Sequence, residues 1–328
     1  MTIRNLVFQG GGVKGIAYAG AIEVLEQRGQ LKDVARVAGT SAGSITAALL
    51  AVGAGSADIN QILRTTMFSS FTDGGGWIFG AAMRLLSKYG IYKGDTLLRW
   101  MRKNIGDITQ RLTGKSQPDL TFAQLRALAQ SKPGVCRELY TISTNLTQQR
   151  PEVFSAESTP DVAIALAVRM SVSIPFYFEA VPFGGNMYVD GGVSWNYPID
   201  LFDGETNRPV VGMPARIRQA AAVGPDTQTL GFCLGSTAQI ESERMNWALP
   251  PVQIKDLDDM VKGLFSFVIN ESTRLHLDEA ALARSVFVND ANVPTTAFDL
   301  TQAQIDTLVK NGRDATIAFL DRSAASVA

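Results

Sequence analysis

The chain has 328 residues, 46% of them apolar, with 30 Lys and Arg against 31 Asp and Glu. That length and apolar content place it among globular chains with a sizeable core, in one large domain or two smaller ones. The near-zero net charge gives no global field for nucleic acid or an anionic membrane, so any membrane contact would be local and apolar.

Residues 3–9 read as a strand that enters a glycine turn, and a helix follows from about 15 to 28. A second strand, "VARVAG" (34–39), leads through the tight turn "TSAG" into the helix "SITAALLAVG". Short apolar strands alternating with helices predict an α/β fold, its parallel sheet covered on both faces.

Residues 58–103 read as mostly helical, broken at 72–76 and 89–95, with Asp95 as the cap of the next helix. Within them, 77–92 carries Trp77, Phe79, Met83 and Leu86 and reads as a core-facing helix, with a lipid-facing alternative left open. Residues 104–120 are polar and read as a surface loop before the helical "LTFAQLRALAQ". Strands at 136–146 and over "RPEVFSA", a helix at 161–173, and two short strands meeting at Gly184-Gly185 come next.

Residues 203–228 read as a loop-rich stretch, and "TLGFCLG" returns as a strand. A long helical pattern at about 256–284 contains His276. A strand, a turn and a helix starting near Thr301, with Thr-x-x-Gln as a capping box, complete the chain. No repeat or linker is visible, so a single domain over 1–328 is expected, with polar surface insertions near 104–120 and 203–228.

No basic segment followed by an apolar stretch and a cleavage site opens the sequence, and stretches such as "ITAALLAVGAG" fall short of the ~20 residues a spanning helix needs. The expectation is a cytoplasmic or peripheral membrane protein, and signal-independent secretion is compatible with the same features. Cys136 and Cys233 stand far apart, in neither a metal-binding nor a disulfide pattern.

The chemistry concentrates in three places. "QGGGVKGIA" follows the first strand, and Gly10, Gly12 and Gly15 satisfy the spacing G-x-G-x-x-G. Such a loop can cradle a nucleotide phosphate or a transient oxyanion, because backbone N–H groups at a helix N-terminus stabilise either. A dinucleotide site needs an acid near the end of the second strand, where this chain has Gly39-Thr40-Ser41. A P-loop also fails, because Lys14 precedes Gly15 and no Gly-Lys-Ser/Thr follows. The oxyanion reading fits better.

"GTSAG", Gly39 to Gly43, fits G-x-S-x-G and puts Ser41 on a strand-to-helix elbow, where flanking glycines let the backbone pass closely. A serine nucleophile needs a base. The single histidine, His276, lies in a charged helical stretch without a turn to present it and reads as structural. Asp190, delivered by a strand to the turn Gly191-Gly192, is the best base available. With a carboxylate's ordinary pKa near 4 it would have to be desolvated or share a short hydrogen bond.

These residues resemble the patatin-like phospholipase family. "GGGVKG" (10–15) looks like its oxyanion loop, "GTSAG" like its nucleophile elbow, and "DGG" (190–192) like its Asp-Gly-Gly motif. "SVSIPFYFEAV" (171–181), "WNYPI" and the closing stretch 298–320 are also similar. The resemblance implies a three-layer α/β/α fold with a mainly parallel sheet, and a Ser41–Asp190 dyad without histidine. Gly10, Gly11, Gly12 and Val13 would form the oxyanion hole, with Gly11, Gly12 and Val13 as its backbone donors. Gly15, Gly39, Gly43, Gly191 and Gly192 would support the site, and Lys14 would anchor the loop or meet a phosphate.

The activity implied is hydrolysis of a phospholipid or other acyl ester, with no metal and no cofactor. Acyl transfer, a protein activator and a homo-oligomer stay open, and a Rossmann-type nucleotide-binding protein is the competing class.

Overall fold

The computed structural model describes residues 2–73, 87, 89–203, 210–213, 217, 226–241 and 251–325. The apolar runs Asn5–Phe8 (β1) and Arg36–Thr40 (β2) pair in parallel, with Phe8 opposite Gly39. Their side chains alternate between two cores: Leu6 and Phe8 pack on one face of the sheet, Val7 and Ala38 on the other. Both faces are covered, as a parallel sheet requires.

The remaining strands are Gly90–Tyr92 (β3), Glu138–Asn145 (β4), Arg150–Ser155 (β5), Phe176–Phe178 (β6), Val181–Phe183 (β7), Asn186–Asp190 (β8), Thr229–Gly235 (β9) and Ser285–Asn289 (β10). The main sheet runs β10-β9-β1-β2-β4-β8-β7, with β5 also on β4. The first five strands of that order are mutually parallel, and the pairs β4–β8, β7–β8 and β4–β5 are antiparallel. β3 and β6 form a separate parallel pair.

Helices are Ala17–Gln27 (α1), Ala42–Ala51 (α2), Ser56–Thr65 (α3), Asp95–Thr113 (α4), Phe122–Ser131 (α5), Ile164–Ser171 (α6), Gly192–Trp195 (α7), Thr237–Glu241 (α8), Leu257–Arg274 (α9), Glu279–Ala283 (α10) and Gln302–Ala325 (α11). β1 is flanked by β2 on one side and β9 on the other, so the chain reverses its winding direction there. Open α/β sheets bind ligands in the crevice outside the strand carboxyl ends at such a switch point. The glycine loop after β1 and Ser41 after β2 both sit there.

Three expectations are corrected. Residues 104–113 are not loop but the second half of α4, which buries Leu97, Met101, Ile105 and Ile108. Its narrow apolar stripe at spacings of three and four is diluted by solvent-facing polar residues, so the stretch reads as polar. Asp95 does not cap α4; Gly94 holds that position, and the Asp73 carboxylate accepts the N–H groups of Gly94 (2.6 Å) and Thr96 (2.7 Å). The helical pattern at 256–284 breaks after Arg274, and Asp278 caps the short α10 by accepting the Ala281 N–H at 2.7 Å.

The capping box at Thr301 forms, with Thr301 N–H donating to Gln304 Oε1 at 2.9 Å. Most of the 77–92 segment and most of 203–228 lie outside the described residues. Among the described residues, no helix is long and apolar enough to cross a membrane. Cys136 and Cys233 are buried free thiols.

Candidate active site

The elbow forces Ser41 into φ +52°, ψ −126°, a backbone conformation a side-chain-bearing residue rarely adopts. The residues two positions to either side of it must be glycine. A Cβ on Gly39 would lie 2.2 Å from the Gly43 carbonyl oxygen, and one on Gly43 would lie 2.2 Å from that of Phe8.

The strained turn is held from several sides. Ser41 N–H donates to Ser171 Oγ (2.9 Å), which itself donates to the Ile142 carbonyl (2.5 Å). Ser44 Oγ donates to the Ser41 carbonyl at 2.6 Å, and Thr40 Oγ1 to the Trp195 carbonyl at 2.8 Å.

β8 runs antiparallel to β4 with Asp190 opposite Ser143, so it ends with Asp190 beside the elbow. Ser41 Oγ donates to Asp190 Oδ2 at 2.6 Å, and Gly192 N–H donates to Oδ1 at 2.7 Å. Ser41 is 5% exposed and Asp190 fully buried. Burial pushes the Asp190 carboxyl up to about 7, against the opposing pull of the Ser41 and Gly192 hydrogen bonds.

The glycine loop passes beside Ser41, where a Cβ on Gly10 would come within 3.1 Å of the serine Cβ. Gly10 is gripped by Asn196, whose carbonyl accepts the Gly10 N–H at 3.0 Å and whose Nδ2 donates to the Gly10 carbonyl at 3.2 Å. Val13 N–H donates to the Thr295 carbonyl at 3.2 Å. Those two N–H groups are therefore engaged inside the protein, which for Val13 runs contrary to its expected part as an oxyanion donor. Among the described residues Gly11 and Gly12 N–H have no such partner.

Lys14 Nζ lies 2.8 Å from Asp290 Oδ2, so it anchors the loop through an ion pair. Gly15 packs against Ala42 at the start of α2, where an added Cβ would come within 2.9 Å.

His276 sits elsewhere, in the turn between α9 and α10 rather than within a helix. Its Nδ1 lies 2.7 Å from Asp200 Oδ2 and its ring stacks on Trp195 at 5.5 Å. Neither Ser41 nor Asp190 is among these partners.

Ser41 opens on a narrow apolar pocket of about 50 Å³ walled by Ile45, Leu63, Phe71, Leu97, Ile174 and Phe178. A larger groove of about 470 Å³ borders Gly10, Gly11 and Lys14 on the side of α9 and carries Gln9, Asn270 and Thr273. Among the described residues, no cluster of three or more His, Cys, Asp or Glu side chains could hold a metal ion.

Residue-by-residue reading missed Ser171, Ser44 and the partners Asp290 and Thr295. Ser171 and Asn196 lie in blocks noted above for their resemblance. Asp290 and Thr295 lie in ordinary-looking turn sequence and carry no local signal.

Residues 6–203 match the patatin-like phospholipase family. The uncharacterized protein YqhO of Bacillus subtilis (strain 168) is 31% identical over 325 residues, 96% of this chain and 97% of that protein. The probable lipid hydrolase 463L of Invertebrate iridescent virus 6 is 26% identical over 60% of this chain and 62% of its own length. Among solved structures, VipD from Legionella pneumophila superposes with a TM-score of 0.61 at 20% identity, over 98% of this chain and 67% of VipD. The type III effector protein ExoU does so with a TM-score of 0.50 at 18% identity, over 98% of this chain and 53% of its own. The structural likenesses show the shared fold, and with the sequence match they establish that the chain belongs to the patatin-like phospholipase family.

Proposed function

We propose that the chain is a lipid acyl hydrolase of the phospholipase A or lysophospholipase type, acting through an acyl-enzyme on Ser41 with Asp190 as general base. The observation that carries this reading is the 2.6 Å hydrogen bond from Ser41 Oγ to a buried carboxylate, at the mouth of an apolar pocket. Family membership and a relative named as a probable lipid hydrolase support it.

As Ser41 Oγ bonds to the ester carbon, its proton passes to Asp190 Oδ2. A carboxyl raised to about 7 suits this transfer near neutral pH, better than an ordinary one would. Negative charge moves onto the former carbonyl oxygen, where Gly11 and Gly12 N–H and the N-terminus of α2 oppose it. The tetrahedral adduct collapses, the alcohol or lysolipid leaves with the proton from Asp190, and the acyl group stays on Ser41. Water then attacks with Asp190 again as base and releases the fatty acid. The first carbons of the acyl chain lie in the narrow apolar pocket beside Ser41. The polar part of the substrate faces the groove.

The test is fatty-acid release from mixed phospholipids and p-nitrophenyl esters. Activity abolished by Ser41→Ala and Asp190→Asn and kept by His276→Ala supports the dyad. A dead His276→Ala beside an active Asp190→Asn would replace it with a histidine mechanism. Acyl transfer to an alcohol would use the same acyl-enzyme, and adding glycerol to the assay separates it by the acylglycerol formed. A protein activator is the remaining alternative, tested by adding cell extract to an inactive preparation.

A further inference from the structure

The glycine loop is fastened at three points, and two of the fasteners come from beyond the family-matched residues 6–203. Asn196 holds Gly10 from within that region. The segment after β10 supplies the others: the Thr295 carbonyl accepts the Val13 N–H at 3.2 Å, and Asp290 pairs with Lys14 at 2.8 Å. Gly11 and Gly12 lie between the Asn196 and Thr295 grips. Gly12 has φ +57°, and a Cβ there would meet the Thr295 carbonyl oxygen at 2.1 Å, so the loop and the segment are in direct backbone contact.

Asp290 is the hinge of this arrangement. Its Oδ2 meets Lys14, while its Oδ1 accepts the Asn292 N–H at 2.9 Å. That second bond stabilises a turn in which Ala291 and Asn292 both have positive φ, 54° and 55°. Val293 N–H donates to the Asp290 carbonyl at 3.0 Å, which closes the turn and leads the chain to Thr295. One carboxylate therefore joins the loop to the turn that presents the Thr295 carbonyl. The Lys14 and Asp290 side chains are only 17% and 7% exposed, so solvent and salt screen the pair little.

We propose that Asp290 is a positioning residue for the oxyanion donors: through Lys14 and the turn to Thr295 it fixes the direction of the Gly11 and Gly12 N–H groups. The proposal rests on the acyl-hydrolase reading given above. Donors must lie about 2.7–3.1 Å from the oxygen of the transition state, and displacement of such groups lowers the chemical step far more than it lowers substrate binding.

The experiment compares wild type, Asp290→Asn, Lys14→Met and the double variant in p-nitrophenyl ester hydrolysis. It also measures affinity for a trifluoromethyl ketone, whose serine adduct carries the oxyanion, and for the product fatty acid. Expected is a fall of roughly tenfold to a hundredfold in kcat/KM, expressed in kcat. Ketone affinity falls in parallel, and KM and fatty-acid affinity stay near wild type. Because the two side chains act as a pair, the double variant is no worse than the worse single one.

Variants within about twofold of wild type, or a parallel loss of ketone and fatty-acid affinity, overturn the proposal. If Asp290→Asn does not fold, Lys14→Met and the double variant carry the same test. A wild type that releases no fatty acid, or a Ser41→Ala variant that still does, overturns the hydrolase reading and this inference with it. An active, Ser41-dependent wild type beside unaffected variants overturns this inference alone.

Discussion

Ser41 Oγ and Asp190 Oδ2 are 2.6 Å apart although 149 residues separate them in sequence, and both residues are withdrawn from water. The carboxylate must be unprotonated to accept the serine proton, and burial raises its pKa to about 7. kcat/KM is therefore expected to rise with pH, about tenfold per unit below 7, and to level off above it. A pH profile on a soluble ester checks this. A midpoint near 4 would mean that the carboxylate is solvated during turnover.

The same shift has a consequence for stability. The folded-state pKa of Asp190, about 7, lies above the ordinary value of 3.8, so the folded protein holds this proton more tightly than the unfolded chain. Its ionisation therefore costs stability progressively as pH rises from about 4 to 7, and the cost is constant above that. Asp190→Asn removes the buried charge and keeps an acceptor for Gly192. The inactive variant is expected to be more stable than wild type by roughly 2–4 kcal/mol at pH 8 and nearly equal to it at pH 4. Denaturant titrations at the two pH values measure the difference, and a destabilised variant at pH 8 would contradict it.

Ile45 follows Ser41 by one helical turn on α2 and lines the apolar pocket. Ile45→Phe should shorten the acyl chain the pocket accepts. Activity on butyrate and longer p-nitrophenyl esters falls roughly tenfold, at about 1–3 kcal/mol for the lost apolar contacts, while acetate esters change little. An equal loss on all chain lengths would place the acyl group elsewhere.

Arg137 is 3% exposed, and its guanidinium donates to four carbonyls: Leu31 (3.0 Å), Leu50 (3.1 Å), Gly134 (3.0 Å) and Val135 (2.8 Å). Burial lowers its pKa to about 10, which leaves it charged at neutral pH. Arg137→Leu leaves those carbonyls without this donor and should cost about 3 kcal/mol or more of unfolding free energy. Activity per folded molecule should stay near wild type. A loss below about 1 kcal/mol would show water taking over the guanidinium's bonds.

What could be read along the chain was local. The short apolar runs of β1 and β2, each followed by a helix, mark a parallel sheet with two covered faces, and "GTSAG" and "GGGVKG" mark two tight backbone passages, because only residues without a Cβ fit them. The second half of α4 is illegible because its buried stripe is narrow, and the Asp73 cap because the accepting carboxylate lies 21 residues before the Gly94 N–H it binds. His276 reads as helical in sequence because the stop after Arg274 carries neither glycine nor proline.

Partnership was decided by tertiary structure. Asp190 reaches Ser41 because β8 runs back along β4, and Asp290 reaches Lys14 across 276 residues because β10 and β1 both run parallel to β9, which lies between them, so their ends come out on the same side of the sheet. By itself the sequence determined which residues have the chemistry for nucleophile, base and oxyanion loop. Which N–H groups of that loop stay available, and which cation is neutralised, was decided only when strand order set the neighbours, because hydrogen bonds and burial depend on distances that residue spacing does not encode.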